Sequence, residues 1–443
     1  MKNNSTHRRE DCRLCGKTNL TRVVPLSPTP IGDRYNTQVE CQQSQDLYPL
    51  DVFLCKECRY VGLQEIVDPT LLYGEYLYRT SISLGLPEHF QLQAYTVLNK
   101  CVSENNRVIE IGSNDGTLLR CFQAHGVQVL GIEPAKELAM RVSESGIPTI
   151  SDFFSKELVS EIKKQYGLAG VIVANNVVAN IDRLDDIAEG VRELLAPDGL
   201  FVFETGYLLD LLDGRILDNI YHEHLSYFSV APLKMFFERF GLELIDVTKE
   251  DTKGGSIRCF VHHKGGPYLV SSRVKEFLSR EFNQAPNLEK TFQKFQTQIQ
   301  QVKTDLKEVL NERNKNEQTL AAFGASVGST TLIYEFDIGG VLSFLVDDNP
   351  NRHDLYSPGF HLPVLSSEAL YERSPDIVVI LAWRYADSII KKHQRYLEHG
   401  GKFIIPLPAI QIVEASTETE ILNLANSIKL RMEQEKSSLI VGG

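Results

Sequence analysis

The chain has 443 residues, roughly three times the size of a typical domain, so we predict several domains rather than one core. Its content of 42% hydrophobic and 23% charged residues is that of a globular protein and excludes a disordered, collagen-like or simple coiled-coil chain. The net charge of −12 argues against a basic surface for nucleic acid or anionic lipid, and no apolar stretch is long enough for a membrane helix. We therefore predict small-molecule ligands and no nucleic-acid or membrane partner.

Clustered cysteines are the first motif along the chain. The start of the sequence lacks the apolar region of a signal peptide, which predicts a cytoplasmic protein whose thiols stay reduced. Two pairs, Cys12-Arg-Leu-Cys15 and Cys55-Lys-Glu-Cys58, are separated by 39 residues and can supply four thiolates to one tetrahedral zinc ion. Free cysteines and a redox dithiol are the alternatives, although no βαβ pattern surrounds either pair. Four ligands leave no open position, so we predict a structural zinc.

Strand and helix patterns alternate through the middle of the chain. The apolar segments that predict strands are 107–111, 127–132, 170–174 and 199–204. Amphipathic segments at 136–145 and 184–195 predict helices between these strands. This alternation is typical of a doubly wound parallel sheet in an α/β domain.

A long helix and a second α/β alternation follow. Residues 285–317 contain little glycine and carry an apolar stripe at helical spacing, which predicts one helix that either packs on a neighbouring domain or self-associates. The stripe consists of Phe292, Phe295, Ile299, Val302, Leu306 and Val309. Further strands are predicted at 318–324, 342–346, 376–381 and 401–405, so we predict a second, smaller Rossmann-like domain. The last 30 or so residues predict a polar helix with a frayed end.

A glycine-rich turn at 112–116 follows the first strand of the middle region. Glycines in such a turn let a ligand approach the backbone at the start of a helix. Glu110 precedes the turn, and Glu133 ends the next strand, where a carboxylate can accept hydrogen bonds from ribose hydroxyls. The dinucleotide fingerprint fails because position 114 is Asn, and the acidic residue before the turn suits a cationic or amino-bearing ligand.

The sequence Glu-Ile-Gly-x-Asn-Asp-Gly in this turn resembles the first motif of class I S-adenosylmethionine-dependent methyltransferases. In that family the turn holds the methionine part of the cofactor, and Asp152 and Phe153 would lie by the adenine. A plain structural turn and a nicotinamide site are the alternatives. Residues 175–180 follow the fourth strand, at the sheet edge where ligands bind. The predicted cofactor contacts are Glu110, Gly112, Asn114, Asp115, Gly116, Glu133, Asp152, Phe153 and Asn175.

Two histidines flank a carboxylate in the segment Tyr221-His-Glu-His-Leu-Ser-Tyr-Phe-Ser229. Metal binding, general-base chemistry and a solvated loop are the competing interpretations. The H-E-x-x-H zinc signature is absent, and no further acidic ligand is evident. The segment follows the strand that ends at Glu204, where the substrate pocket of a methyltransferase opens, and this position favours base catalysis.

Five motifs in order resemble zinc-containing sugar C-methyltransferases. They are the paired CxxC knuckles, EIGSNDG, YHEHLSYFS, GGSIR at 254–258 and VDDNPNRHDLYSPGFHLPV at 346–364. The likeness spans about residues 10–412. Enzymes of that family methylate nucleotide-linked 4-keto-6-deoxysugars, typically at C3, in making branched sugars such as mycarose and tetronitrose. The resemblance therefore implies S-adenosylmethionine and a structural zinc ion as cofactors.

The resemblance also implies roles for individual residues. The family's catalytic Tyr-x-Glu-His falls on Tyr221, Glu223 and His224, with His224 as the general base, and its tyrosine near the sugar falls on Tyr76 or Tyr78. Relatives commonly have His at the end of the N-V-x-A-H motif, where this chain has Asn180, so any proton transfer there is absent or passes to His222 or His224. The predicted substrate contacts are Asn176, Asn180, His222, Asp348, Asn349, Trp383 and Tyr385.

The implied fold is a class I methyltransferase sheet with an N-terminal zinc-binding module and a second C-terminal Rossmann-like domain. The predicted parts are a zinc module at 1–80, a methyltransferase domain at 81–284, a connecting helix at 285–317, a nucleotide-sugar domain at 318–412 and a tail at 413–443. The expected activity is C-methylation of a nucleotide ketosugar by a monomer or homodimer. An O- or N-methyltransferase, or a non-catalytic protein that binds zinc and nucleotide sugars, are the alternatives.

Overall fold

The computed structural model describes residues 6–73, 80–82, 85–314 and 318–415. Tyr76, Tyr78 and the predicted polar helix near the C-terminus lie outside the described residues. Within these ranges, no helix combines the length and apolar character needed to cross a membrane.

The N-terminal part is built around the two cysteine pairs. Its elements are β1 (Thr6–Arg8), β2 (Leu20–Val24), β3 (Val52–Cys55), β4 (Val61–Leu63), β5 (Glu65–Val67) and α1 (Pro69–Tyr73). Strands β2, β3 and β4 form an antiparallel sheet, while β1 pairs with β5. A short strand from much later in the chain, Ser226–Tyr227, pairs with β4 and completes the sheet. The segment that carries Tyr221 to His224 is therefore joined directly to the cysteine-bearing part.

The middle part is the predicted doubly wound sheet. Its elements are α2 (Leu86–Lys100), β6 (Arg107–Ile111), α3 (Thr117–Gln123), β7 (Gln128–Ile132), α4 (Lys136–Glu144), β8 (Thr149–Ile150), α5 (Lys156–Tyr166), β9 (Ala169–Asn175), α6 (Leu184–Leu194), β10 (Leu195–Gly206), α7 (Leu208–Asp213), β11 (Ser226–Tyr227), α8 (Val230–Arg239), β12 (Leu242–Glu250), β13 (Ser256–His263) and α9 (Ser272–Gln284). Strand order is β8-β7-β6-β9-β10-β13-β12, parallel except for β13, which runs antiparallel to both neighbours. The connection order reverses between β6 and β9, which places the ligand crevice at their carboxyl ends.

Local sequence explains the central elements of this sheet. Strand β9 is buried at every position, and its run of small and β-branched residues is typical of a parallel strand covered by helices on both faces. Helix α6 buries one apolar stripe and begins with Asp185 and Asp186, whose charges suit the positive end of a helix dipole. The four strands and two helices predicted here from periodicity are all present.

The C-terminal part holds a long helix and a second sheet. Its elements are α10 (Leu288–Asn314), β14 (Leu320–Phe323), α11 (Val327–Phe336), β15 (Phe344–Val346), β16 (Val364–Leu365), α12 (Ala369–Glu372), β17 (Ile377–Ile380), α13 (Ala386–Lys392), α14 (Gln394–Glu398), β18 (Lys402–Ile405) and β19 (Gln411–Val413). Strand order is β16-β15-β14-β17-β18-β19, with only β19 antiparallel. This is the predicted smaller Rossmann-like sheet.

Helix α10 ties the parts together. Five of the six residues in its predicted apolar stripe are buried in one hydrophobic cluster with residues of β2, α7 and α11, and Val309 packs partly buried against it. Of the two roles predicted for this helix, packing on a neighbouring domain and self-association, the structure therefore shows the first. Burial of several large aromatic and aliphatic side chains, each contributing about 1.5–3 kcal/mol, accounts for the stability of this contact.

Candidate active site

A cleft opens at the carboxyl ends of β6 and β9, as the strand order predicts. It encloses a cavity of about 420 Å³, within the range of about 300–1,000 Å³ that holds small organic ligands. The predicted site residues that line it are Gly112, Asn114, Glu133, Asp152, Phe153, Asn175, Asn176 and Asn180. The structure thus brings most of the predicted cofactor contacts to one cavity, together with two residues predicted for the substrate.

The turn after β6 has the backbone that its glycines predict. Gly112, Asn114 and Gly116 have φ of +69°, +46° and +74°, the left-handed region that favours glycine and tolerates asparagine. A Cβ at Gly112 would overlap the side chain of Val177. Glu133 braces the turn from the end of β7, accepting a hydrogen bond from the Asn114 N–H at 2.9 Å. Its carboxylate lines the cavity, where a ribose hydroxyl can reach it.

Three other predicted cofactor residues do not line the cavity. Glu110 is buried beneath the turn, and burial, with Asp115 and Glu133 adding to the effect, holds the pKa of its carboxyl well above the usual value. Asp115 accepts a hydrogen bond from the Ser81 N–H at 2.8 Å. Gly116 caps helix α3. For these three residues direct contact with a cofactor stays a prediction, and the geometry shows them shaping the turn.

The same turn also fixes the segment before α2. Asn114 Oδ1 accepts a hydrogen bond from the Thr80 N–H at 3.0 Å, next to the Asp115 contact with Ser81. Thr80 itself lines the cavity. The turn therefore also positions the segment that forms one wall of the cleft, a role that the motif alone did not indicate.

Tyr221 and His224 form a hydrogen-bonded pair in the segment between α7 and β11. His224 Nδ1 lies 2.9 Å from the Asn219 carbonyl oxygen, which can only accept, so Nδ1 carries the proton. The Tyr221 hydroxyl, 2.7 Å from His224 Nε2, must then donate to the lone pair of that nitrogen. Burial lowers the pKa of His224 to about 4, so the imidazole is neutral at physiological pH. A neutral, correctly oriented imidazole of this kind can accept a proton.

His222 and Glu223 lie between Tyr221 and His224 in sequence, and burial shifts their pKa values in opposite directions. Burial raises the pKa of Glu223 to about 8, so its carboxyl is largely protonated at neutral pH. Burial also lowers the pKa of His222 to about 4, and its Nε2 lies 3.3 Å from the Tyr48 carbonyl oxygen. Neither residue lines the cleft or the smaller cavity beside it, so a substrate contact for His222 stays a prediction.

His224 faces this second cavity, which has a volume of about 30 Å³. Asn176 and Lys253 line both cavities, so the histidine pocket and the cleft share a wall. The small cavity has room for a water-sized group, such as the reacting end of a substrate, but not for a whole nucleotide sugar. Sequence reasoning missed Lys253, although its position directly before the GGSIR motif is a signal that could have identified it.

Four cysteine side chains converge at the other end of the N-terminal sheet. Their sulfur atoms all lie within 4.8 Å of one another, with Cys12 and Cys58 Sγ 3.5 Å apart and Cys15 and Cys55 Sγ 3.6 Å apart. Tetrahedral zinc–thiolate bonds of about 2.3 Å place neighbouring sulfurs about 3.8 Å apart, so the cluster fits a zinc ion. All four positions would be filled by the protein, which excludes a bound water for chemistry.

Residues next to the four cysteines contact the segment between α7 and β11 that carries Tyr221 and His224, here called the histidine segment. Arg13, between Cys12 and Cys15, donates to the Leu225 carbonyl oxygen at 3.2 Å and pairs with Asp182 Oδ1 at 2.9 Å. The Tyr60 hydroxyl also donates to the Leu225 carbonyl, at 3.1 Å. Leu225 follows His224, so the zinc knuckles help to set the position of the histidine.

The predicted substrate residues of the C-terminal sheet lie away from both cavities. Asp348 pairs with Lys392 at 2.7 Å, Asn349 caps a short turn, and the Tyr385 side chain is about half exposed. Trp383 Nε1 instead donates to Asp218 Oδ1 at 3.0 Å. Asp218 adjoins Asn219, whose carbonyl holds His224, so the C-terminal part contacts the histidine segment. Roles of these four residues in substrate binding stay predictions.

Comparison with known proteins identifies the class. Family models match in chain order: a zinc binding domain at residues 12–73, a methyltransferase domain at 90–247 and a C-methyltransferase C-terminal domain at 251–408. The C-methyltransferase NovU of Streptomyces niveus is 32% identical over 414 residues, 92% of this chain and 98% of that protein.

Solved methyltransferase structures resemble part of this chain at low identity. The CcbJ methyltransferase of Streptomyces caelestis is 16% identical, with a TM-score of 0.34 over 44% of this chain and 96% of that one. Magnesium protoporphyrin IX methyltransferase of Synechocystis, solved with bound S-adenosylhomocysteine, is 10% identical, with a TM-score of 0.34 over 43% of this chain and 91% of that one.

Fold, cleft and cysteine cluster together define a class I S-adenosylmethionine-dependent methyltransferase with an N-terminal zinc-binding module. The predicted fold class and both predicted cofactors are thereby confirmed. The chain belongs to the C-methyltransferase family, as the relationship to NovU along nearly its whole length shows. It is therefore an S-adenosylmethionine-dependent C-methyltransferase.

The Gly112→Ala variant tests the cofactor cleft. The new methyl group would meet Val177 in a left-handed backbone, so we expect the affinity for S-adenosylmethionine to fall about tenfold or more, from strain of about 1–3 kcal/mol. Calorimetric titration measures the change. Gly126→Ala is the matched control, because its φ is also left-handed, at +79°, but its added Cβ meets no atom within 4 Å. Equal affinity in the two variants would show that Gly112 does not border the cofactor.

Proposed function

We propose that the protein transfers a methyl group from S-adenosylmethionine to the carbon alpha to the ketone, C3, of a nucleotide-linked 4-keto-6-deoxysugar. The observation that carries the proposal is His224, which is hydrogen-bonded to Tyr221 and lines a pocket that shares a wall with the cofactor cleft. A carbon next to a ketone is not nucleophilic until a proton is removed. A C-methyltransferase therefore needs a base beside its cofactor, whereas transfer to a hydroxyl or amine needs no enolate.

The residues of the pocket suit proton removal. The Asn219 carbonyl fixes the protonated Nδ1 of His224, and the Tyr221 hydroxyl occupies Nε2. The substrate proton therefore reaches His224 either directly, once the hydroxyl turns away, or through the Tyr221 oxygen, which passes its own proton to Nε2. Both routes leave an enolate on the sugar and an imidazolium at His224. The Asn180 side chain is an amide and cannot accept a proton, so we assign the proton to His224 alone.

The cofactor supplies an electrophilic methyl group when it is bound. Gly112 and Asn114 at the turn and Glu133 at the end of β7 would hold it, and the carboxylate of Glu133 suits the ribose hydroxyls. Tyr76 and Tyr78 are proposed to contact the sugar. We assign the nucleotide to the C-terminal sheet, through Asp348, Asn349, Trp383 and Tyr385. The structural zinc takes no part in the chemistry.

Product analysis tests the proposal. The protein is incubated with S-adenosylmethionine labelled with carbon-13 in the methyl group and a panel of thymidine, guanosine and cytidine diphosphate 4-ketosugars. We expect NMR to show the label bonded to C3, and solvent deuterium to enter C3 when the cofactor is left out. A label on oxygen or nitrogen, or the absence of exchange with every ketosugar, would contradict the proposal. A protein that binds nucleotide sugars without turnover would support the non-catalytic alternative.

A further inference from the structure

Lys253 lies between the two cavities of the active site. It lines both the cofactor cleft and the small pocket that His224 faces. Among the described residues that line the small pocket, it is the only lysine or arginine. A positive charge is therefore placed where the reacting end of a substrate and the cofactor meet.

The backbone that presents Lys253 is unusual. Lys253, Gly254 and Gly255 have successive φ values of +52°, +87° and +124°. The two glycines are required, because a Cβ at Gly254 would lie 2.9 Å from Ile216 Cδ1 and one at Gly255 would overlap the Asp210 carboxylate. A lysine in the left-handed region costs about 1–2 kcal/mol, and such conformations concentrate at functional sites.

A buried polar network holds this turn in place. The Thr252 hydroxyl donates to Glu204 Oε1 at 2.6 Å. Glu204, fully buried at the end of β10, also pairs with Arg258 at 3.0 Å and with His89 at 2.8 Å. The network anchors the residue before Lys253 to the central sheet. Because that anchor lies on a rigid element, the central sheet holds the backbone turn that carries Lys253.

The charge of Lys253 acts on the groups of the pocket. The ammonium opposes the rise that burial causes in the pKa of Glu223, and it adds to the lowering that burial causes in the pKa of His224. It therefore lies close enough to influence the proposed base, and it favours the neutral, proton-accepting form of the imidazole.

We propose that Lys253 is a catalytic residue whose ammonium donates a hydrogen bond to the oxygen of the substrate enolate, an inference that rests on the proposed function. When the base removes the proton from the carbon alpha to the ketone, the electron pair of that C–H bond moves into the C–C–O system and the oxygen becomes negative. The ammonium faces this charge in a pocket with little room for water. The enolate carbon then bonds to the methyl group, the electron pair of the broken S–C bond remains on sulfur, and the ketone re-forms. The proton held by His224 passes to solvent.

Solvent exchange without cofactor isolates the step that Lys253 would assist. Lys253→Met removes the charge at similar length, and we expect deuterium entry at the alpha carbon of the ketosugar to fall about 10²- to 10³-fold, the usual cost of losing one oxyanion donor. Methyl transfer should fall by a similar factor, because both reactions pass through the enolate. Lys253→Arg keeps the charge and should recover part of the exchange rate. Lys264→Met, at the opposite end of β13, is the matched control.

Three results would overturn the assignment. Exchange in Lys253→Met at the wild-type rate would show that the ammonium does not stabilise the enolate. Loss of S-adenosylmethionine affinity in Lys253→Met with normal exchange would place the lysine on the cofactor instead. Lys253→Gly relieves the left-handed strain, so recovery of exchange in that variant would show that only the backbone matters. No exchange in the wild-type protein would instead reject the proposed function itself.

Discussion

We expect His224→Asn to lower the rate of methyl transfer about 10²- to 10⁴-fold, the usual contribution of a general base. Asparagine can keep the hydrogen bond to the Asn219 carbonyl but has no group at the position of Nε2 and cannot accept a proton. Deuterium entry at the alpha carbon should fall by a similar factor, because both reactions need the same proton removed. The affinity for S-adenosylmethionine should be unchanged, since His224 does not line the cofactor cleft.

The pH dependence gives a second readout of the same residue. An unperturbed histidine with a pKa of about 6.5 would make kcat/KM fall as the pH drops below about 6.5. Burial lowers the pKa of His224 to about 4, so its base form persists to much lower pH. We therefore expect no histidine-like fall between about pH 7 and pH 5, and loss of activity only as the pH approaches that lower value.

Two further variants separate base loss from damage to the fold. His224→Gln leaves an oxygen that can accept from the Tyr221 hydroxyl, so it preserves the pair but not its basicity, and it should be as slow as His224→Asn. His125→Asn makes the same replacement at an exposed turn after α3 and should behave as the wild type. Full turnover by His224→Gln would assign the base to another residue. If Tyr221→Phe slows exchange as strongly, and the double variant no further, the pair acts as a unit.

The sequence alone was sufficient to predict those elements of the fold that are determined by residues close together in the chain. Strand β9 and helix α6 are evident from periodicity because each buries a face set by its own residues. The left-handed turn at Gly112 follows from glycine chemistry. The cysteine pairs could be matched from their spacing alone, because the ligands within each knuckle are close in sequence and four sulfurs suit one ion.

Other features depend on contacts between distant segments, which no local pattern reveals. Strand β11 has two residues, and only its pairing with β4 makes it a strand. The indole N–H of Trp383 donates to Asp218 in the histidine segment, a contact between residues 165 positions apart. Lys253 can be recognised as a site residue only from the fold, which places it in the wall shared by two cavities. The turn that carries it is anchored through Thr252 to Glu204 of β10, 48 residues earlier in the chain.

We expect Cys55→Ser to abolish zinc binding and to destabilise the N-terminal part by about 4 kcal/mol or more, since loss of a structural metal is among the largest single-residue effects. Cys55 is fully buried within the four-sulfur cluster, and a serine hydroxyl is a poor replacement for a thiolate ligand. Zinc content by elemental analysis and the unfolding midpoint in urea measure the two effects.

Turnover should fall with zinc content although the ion does no chemistry. Without the metal, the cysteine knuckles would no longer position Arg13 and Tyr60, which donate hydrogen bonds to the Leu225 carbonyl. Strand β4 would also no longer be held in place as the partner of β11. His224 would then no longer be fixed beside the cleft. Affinity for S-adenosylmethionine should fall less than turnover, because the turn at 112–116 and Glu133 belong to the central sheet.

Cys41→Ser is the matched control, because Cys41 lies between the two knuckles in sequence but outside the sulfur cluster. It should keep zinc, the unfolding midpoint and turnover. A zinc-free Cys55→Ser protein with wild-type turnover would show that the N-terminal part does not position the histidine. Full zinc content in that variant would instead show that three sulfurs hold the ion. The coupling we infer therefore requires that metal content, stability and proton exchange at the alpha carbon decline together in Cys55→Ser and remain intact in Cys41→Ser.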